Sequence, residues 1–422
     1  MIGHGGCERA AGCEDGGLGV AVVLRLPALL LLCHLLPVFV QAEGIRMNDQ
    51  DAAATARGNA FTATADNPSA IYYNPAGITQ LRRPQFRVGT YGLTYRVEHQ
   101  SPSGVESDSK RGYAVSPNVY LTYPLADYPL SVGLGIYTPF GLSMKWPETT
   151  GFRSVALDGN IQYLTVQPVV AWQAVKTLSI GIGPTFNYAR TDLKQGLSPF
   201  AGNDWFRFKG DAFAAGFSLG VRWQPVEKHA FGFTYRSATT VDYSGHTDTV
   251  SIASGLALRQ DAKAKFECPQ QVTLGWSYRP TPDWNLEVDA NWTDWSSFSS
   301  VPIRQAIAVS PLTLNWRSSW YFAGGVTRKF GDGWHASAGY IFSQNSVPDA
   351  HFTPLVPDTD RHAFSIGLGR ETAKWTWDVA YQLTRGTERT VSGSAVTSAG
   401  QSADGRYDWW SNALSVSVGR KF

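Results

Sequence analysis

The chain has 422 residues, a net charge of +2, 17% charged residues and 13% aromatics. So small a net charge gives no argument for nucleic acid or for an acidic partner. The 42 glycines, the many aromatics and only 3 methionines suit strands and turns better than helices, and a barrel holds this length in one domain.

Residues 1–42 read as a processed leader. Arg25 precedes an apolar run from Leu26 to Val40, and Val40-Gln41-Ala42 is a small-x-small cleavage signal before Glu43. The run carries Pro27 and Pro37 and is shorter than the roughly 20 residues of a transmembrane helix. Residues before Arg25 add no recognisable signal and fit an upstream start-site extension. Cys33 follows Leu32 rather than a small residue, so no lipoprotein signal is present. Cys7, Cys13 and Cys33 leave with the leader. Cys268 then stands alone, which excludes an intramolecular disulfide and a cysteine metal cluster in the mature chain.

Residues 43–84 do not alternate. They are small and polar, as in Ala52-Ala53-Ala54, Arg57-Gly58-Asn59-Ala60 and Asp66-Asn67-Pro68-Ser69. Small residues permit close packing and Asn-Pro pairs favour turns. Two readings are open: a hatch folded inside a following barrel, and a disordered periplasmic extension. Ile71, Tyr72, Tyr73 and Ile78 supply anchors to bury and favour the hatch.

Residues 85–422 alternate with period two. Trp284, Leu286, Val288, Ala290 and Trp292 share one face; Asn285, Glu287, Asp289 and Asn291 share the other. Trp375–Leu383 repeats the pattern with Asp378 on the polar face. A bulky apolar face with Trp and Tyr near strand ends, backed by a charged face, is the signature of a barrel in lipid rather than of a soluble sandwich. The pattern predicts an all-β fold, a transmembrane antiparallel β-barrel of about fourteen strands: 85–97, 113–124, 130–140, 159–175, 177–194, 207–225, 229–245, 263–279, 283–304, 313–330, 333–345, 361–371, 373–390 and 406–422. Short turns such as Pro225–His229 alternate with long connections near 98–112, 141–158, 195–206, 246–262, 346–360 and 391–405. This places short turns in the periplasm and long loops outside. The last strand alternates up to a terminal Phe422, which resembles the signal read by the outer-membrane assembly machinery.

Several motifs go further. Ala65-Asp66-Asn67-Pro68-Ser69-Ala70-Ile71-Tyr72-Tyr73-Asn74-Pro75-Ala76-Gly77-Ile78-Thr79 resembles the N-terminal hatch of the FadL/TodX family of hydrophobic-compound transport porins, with its Asn74-Pro75-Ala76 motif. Tyr137-Thr138-Pro139-Phe140-Gly141-Leu142, Lys209-Gly210-Asp211, Thr234-Tyr235-Arg236-Ser237, Trp292-Thr293-Asp294-Trp295-Ser296 and Pro357-Asp358-Thr359-Asp360-Arg361 are similar to later family segments, in the same order. The leader is longer than is usual in the family.

The resemblance implies uptake of long-chain fatty acids or aromatic hydrocarbons, by passive diffusion through a hatched barrel. It implies an inward kink of the third strand at Pro139, Phe140 and Gly141, touching Asn74-Pro75-Ala76 and opening the wall to lipid. The plain alternative is that Pro139 ends the strand. A lumen-facing Arg190 and a second basic position at Arg317 are expected to meet an acidic head group. Alternatively both pair with lumen carboxylates such as Asp289 or Asp378. Leu142, Met144, Trp146, Leu197, Phe200 and Phe206 are expected to form an outer collecting groove, or to serve as belt anchors. No catalytic motif, metal-ligand spacing or cofactor signature occurs. A barrel hydrolase with a site assembled from separate strands and a general diffusion porin are the competing readings; an open porin needs no hatch. The expected partners are a hydrophobic small molecule, outer-membrane lipid and lipopolysaccharide, and the assembly machinery. A monomer without nucleic acid is expected.

Overall fold

The computed structural model describes residues 44–200, 202, 204–252, 254–306 and 309–422. The expected leader, 1–42, lies outside them. Fourteen antiparallel staves make the wall: β1 (Gln85–Gln100), β2 (Gly112–Leu125), β3 (Leu130–Lys145), β4 (Asp158–Val175), β5 (Leu178–Gly196), β6 (Trp205–Val226), β7 (His229–Arg236 and Thr239–Ser251), β8 (Leu256–Cys268 and Gln271–Tyr278), β9 (Trp284–Thr293 and Ser300–Gln305), β10 (Val309–Thr313 and Ser319–Lys329), β11 (Trp334–Ser343), β12 (Arg361–Glu371), β13 (Trp375–Gly386) and β14 (Gly405–Lys421). Each pairs with its chain neighbour, and β1 also pairs with β14, from Gln85↔Lys421 to Gln100↔Arg406. That last ladder closes the sheet and removes its free edges.

The alternation decides which side faces what. On β9, Glu287 and Asp289 are 2% and 4% exposed, whereas Leu286 and Val288, which alternate with them, are 41% and 53% exposed. Polar inside and apolar outside is the reverse of a soluble core, and suits lipid around the wall. Outward Trp223, Trp276, Trp284 and Trp375 sit beside the short turns, forming one aromatic girdle.

The fourteen expected strands coincide with the fourteen staves, but four staves are interrupted. β7 breaks at Ser237-Ala238 and β8 at Pro269-Gln270. Pro269 has no N–H for the ladder. β9 breaks where Trp295–Ser297 makes a single 3-10 turn that buries Trp295, and β10 breaks at 314–318. The expected loop at 246–262 is mostly hairpin, because β7 and β8 stay paired from Thr239↔Cys268 to Ser251↔Leu256. In the 98–112 connection, Glu106–Asp108 folds back onto the end of β1.

This topology makes a labelling prediction. Epitope tags at Ser103, Gly202, Ser254 or Ala395 are expected to bind antibody on intact cells, and tags at Glu227 or Asp332 only after the outer membrane is opened. Surface binding at both sets would contradict the orientation.

Candidate functional site

The segment before β1 is tied to the inward faces of the staves. Four consecutive amides converge on two carboxylates. Phe61 and Thr62 donate to Asp289 at 3.0 Å each; Ala63 and Thr64 donate to Glu287 at 2.6 and 3.1 Å. Arg57 completes Glu287 at 3.4 Å. Asp51 caps the short helix α1 (Ala52–Ala56) and pairs with Arg87, whose other arm reaches Asp378 at 2.7 Å. Charges this deep persist only when paired and hydrogen-bonded. Asp289 and Asp378 are thus committed to this segment and to Arg87, not to Arg190 or Arg317.

Asn74-Pro75-Ala76 opens the 3-10 helix Pro75–Gln80. Asn74 donates from Nδ2 to the carbonyls of Thr62 at 2.8 Å and Val221 at 3.0 Å, and its Oδ1 accepts from Ala76. The motif presses on β5 and β6. A Cβ at Gly181 would stand 2.5 Å from the Pro75 carbonyl carbon, and one at Gly220 would stand 2.2 Å from Asn74 Oδ1. Only glycine permits that approach. The motif therefore touches β5 and β6; the expected contact with the third strand is made by other residues.

Those residues are Ile45, Arg46, Met47 and Gln50. β3 pairs with β2 only from Leu125↔Leu130 to Val119↔Ile136. Beyond Ile136 it carries a bulge, with Tyr137 opposite Thr165 but Phe140 opposite Tyr163 on β4, so one extra residue turns the stave. The bent stretch pairs with the N-terminal segment instead of β2. Met47 donates to the Pro139 carbonyl and Gly141 donates to the Ile45 carbonyl, both at 2.8 Å, around an Arg46↔Phe140 bridge. Gln50 Nε2 donates to the Thr138 carbonyl at 2.9 Å. Pro139, which has no N–H to give β2, loses nothing by leaving that ladder. Higher up, Lys110 donates to the Lys145 carbonyl at 2.8 Å. The ladder gap thus runs between 112–118 of β2 and 137–144 of β3. Side chains occupy it: Ser116 bonds Thr138, and the Tyr95 hydroxyl donates to the Ser143 carbonyl.

Above the kink lies an apolar cavity of about 340 Å³, within the size range of small-molecule sites. Leu142, Ile161, Phe208, Tyr243, Phe266 and Ile303 wall it, with Ile45 from the N-terminal segment. Of the groove residues expected from sequence, Leu142, Leu197 and Phe206 line it. Met144 and Trp146 are buried in the apolar cluster around it, Trp146 donating to the Pro354 carbonyl at 2.9 Å, and Phe200 is 77% exposed. Arg153 pins the neighbouring loops by donating to the carbonyls of Ser198, Gly202 and Asp204 at 2.8–2.9 Å.

Neither expected arginine reaches this cavity. Arg190 lies between the buried Ala189 and Thr191 and is exposed on the outer face of β5, opposite Gln162 and Asp211. Alternation forces this, because the lumen face there is 187, 189, 191. Arg317 is exposed beside the buried Trp316. Phe422 closes the last stave, its amide donating to the Pro84 carbonyl at 2.9 Å with the ring 62% exposed. Sequence reading missed the wall from β7 to β10, including Phe266 and Ile303. Their alternation beyond the lipid belt was the available signal.

A family model described as outer membrane protein transport protein (OMPP1/FadL/TodX) matches residues 34–422. A long-chain fatty acid transport protein of Salmonella typhi is 22% identical over 378 residues, covering 81% of this chain and 86% of that one. Its namesake in Escherichia coli K12 is also 22% identical, over 392 residues, covering 81% and 87%. Among solved structures, a Pseudomonas aeruginosa FadL homologue superposes with a TM-score of 0.82 at 20% identity, covering 90% of this chain and 100% of that one. The Pseudomonas putida toluene transporter TodX gives 0.70 at 17% identity, covering 92% and 100%.

Proposed function

The chain belongs to the OMPP1/FadL/TodX family of outer membrane transport proteins, and from that premise we propose that it takes up long-chain fatty acids or related apolar and aromatic molecules by passive diffusion. Residues 43–84 act as a hatch in the lumen. Cargo enters the apolar cavity from outside, passes Phe140 and leaves sideways through the gap between β2 and β3. The observation that carries this reading is the departure of β3 from β2 above Val119↔Ile136, directly below the cavity.

The energetics favour a side exit. Each buried CH₂ is worth ~0.8 kcal/mol, so a long tail leaving through the periplasm would return most of that to water. A wall gap opening on lipid avoids the loss. The cavity supplies affinity for the tail without chemistry, as expected of a transporter rather than a hydrolase.

Binding by the purified chain in detergent tests the cavity. Ile161→Glu places a carboxylate in its wall, where burial of an unpaired charge costs several kcal/mol. Affinity for a fluorescent fatty acid is expected to fall about tenfold or more, while an outward Gln162→Glu leaves it within about twofold. Unchanged affinity in Ile161→Glu would remove the cavity from the path.

A further inference from the structure

Arg236 ends the lower piece of β7, immediately before the break at Ser237-Ala238, and shares the lumen face with Thr234. Its guanidinium lies over the Tyr72 ring, 3.8 Å from the centroid, and donates to the Tyr72 carbonyl. Its Nε is buried with no partner. Among the described residues no carboxylate lies within ion-pair distance of it. Arg57 and Arg87, also inside the barrel, have Glu287, and Asp51 with Asp378, respectively. A guanidinium held from water beside tyrosines, with one carbonyl for company, lacks its counter-ion.

Two small cavities, each of about 30 Å³, meet at this side chain. One is lined by Tyr137, Pro139 and Phe140 of the kink, with Ser237 and Cys268 at the stave breaks. The other holds Arg46, Asn291 and Asp289. Asp289 Oδ2 accepts from the Phe61 and Thr62 amides and its Oδ1 is unpartnered, but no ion pair joins it to Arg236. The first cavity lies one step along the strands from the apolar one, with the buried Phe140 and Tyr163 between them. Phe140 and Tyr163 line the lower chamber, and Leu142 and Ile161, two residues further along the same strands and on the same face, line the upper.

We propose that Arg236 is the head-group site of the path: it takes the carboxylate of a long-chain monocarboxylic acid at the level of the β3 kink while the tail remains in the apolar cavity. This rests on the hydrophobic-uptake reading above and adds to it a cargo charge and a residue. A planar guanidinium receives a carboxylate through two parallel N–H donors, and the unused Nε supplies one of them. Tyr72 packs edge-on to Tyr137 at 5.1 Å between rings. A carboxylate that draws Arg236 off the Tyr72 carbonyl therefore acts next to the kinked stave.

The test is binding of radiolabelled palmitate and radiolabelled hexadecanol, equal tails with and without the charge, by the purified full-length chain in detergent. Wild type is expected to bind both. Arg236→Gln is expected to weaken palmitate about tenfold or more and leave hexadecanol within about twofold, with Arg236→Lys recovering part of the loss. Equal loss of both ligands would make Arg236 a latch for Tyr72 only. Palmitate binding unchanged in Arg236→Gln would overturn the site and leave hydrophobic uptake standing. Wild type binding neither ligand would overturn both. A second measurement needs no variant: carbon NMR of carboxyl-labelled palmitate bound to wild type. Its carboxyl is expected to titrate at lower pH than in detergent alone, and an unshifted midpoint would overturn the assignment.

Discussion

Replacing Glu287 and Asp289 together by alanine is expected to convert the barrel into an open pore. The two carboxylates accept four consecutive amides, Phe61 to Thr64, and Glu287 also holds Arg57 and the Thr64 hydroxyl. Stranding a buried donor costs about 1–3 kcal/mol, and stranding a buried arginine costs roughly 3–5 kcal/mol more. The sum exceeds what the small residues of this stretch return by packing, so the segment between Arg57 and Thr64 should leave the wall while the closed ladder of staves persists. Single-channel conductance in planar bilayers reads the result. The double variant should conduct several-fold more than wild type and sensitise cells to a large hydrophilic antibiotic. Conductance equal to wild type would mean that the segment does not depend on these carboxylates. The amide pair Glu287→Gln with Asp289→Asn keeps acceptors in place and should conduct less than the double alanine variant.

Deleting Pro139 is expected to close the wall. The bulge on β3 contains one residue more than β4 opposite it, between Tyr137↔Thr165 and Phe140↔Tyr163. Before it the inward residue is Tyr137; after it they are Phe140, Leu142 and Met144. Removing one residue restores strict alternation without turning any of these to the outer face. β3 can then run straight and complete its ladder with the unpaired part of β2. Assembly should survive, seen as normal heat-modifiable migration on gels. Uptake of a hydrophobic probe should fall about tenfold or more, because the only route left requires leaving the cavity into water. Uptake equal to wild type in a correctly assembled deletion would exclude a side exit at this stave.

The wall was legible in the sequence because lipid outside and polar groups inside give a period-two pattern strong enough to count strands. The lumen role of Glu287, Asp289 and Asp378 followed from the same alternation. Arg190 was misread although that alternation held the answer: it shares a face with Phe186 and Tyr188, both turned outward, while Asn187, Ala189 and Thr191 turn in. Family position outweighed register there. The break at Ser237-Ala238 carries no proline or glycine and gave no local signal, whereas Pro269 in the facing stave did. Pro139 marked the kink, but not its partner, since Ile45, Arg46 and Met47 lie far away in the chain. Bonds such as Ala63 to Glu287, 224 residues apart, lie beyond any local pattern. The apolar cavity likewise draws on loops and stave ends separated by hundreds of residues, so its single residues were visible and their convergence was not.

Transport of hydrophobic molecules shows itself in the initial rate of their entry into cells. A Gram-negative strain lacking its own channel of this family would carry either this chain or an empty vector, and take up radiolabelled palmitate at submicellar concentration. The chain is expected to raise the palmitate rate several-fold and leave the rate for a small sugar unchanged. A palmitate rate equal to the empty vector, with the barrel assembled in the outer membrane, would rule out hydrophobic transport by this chain, and an equal rise for the sugar would make it a general pore.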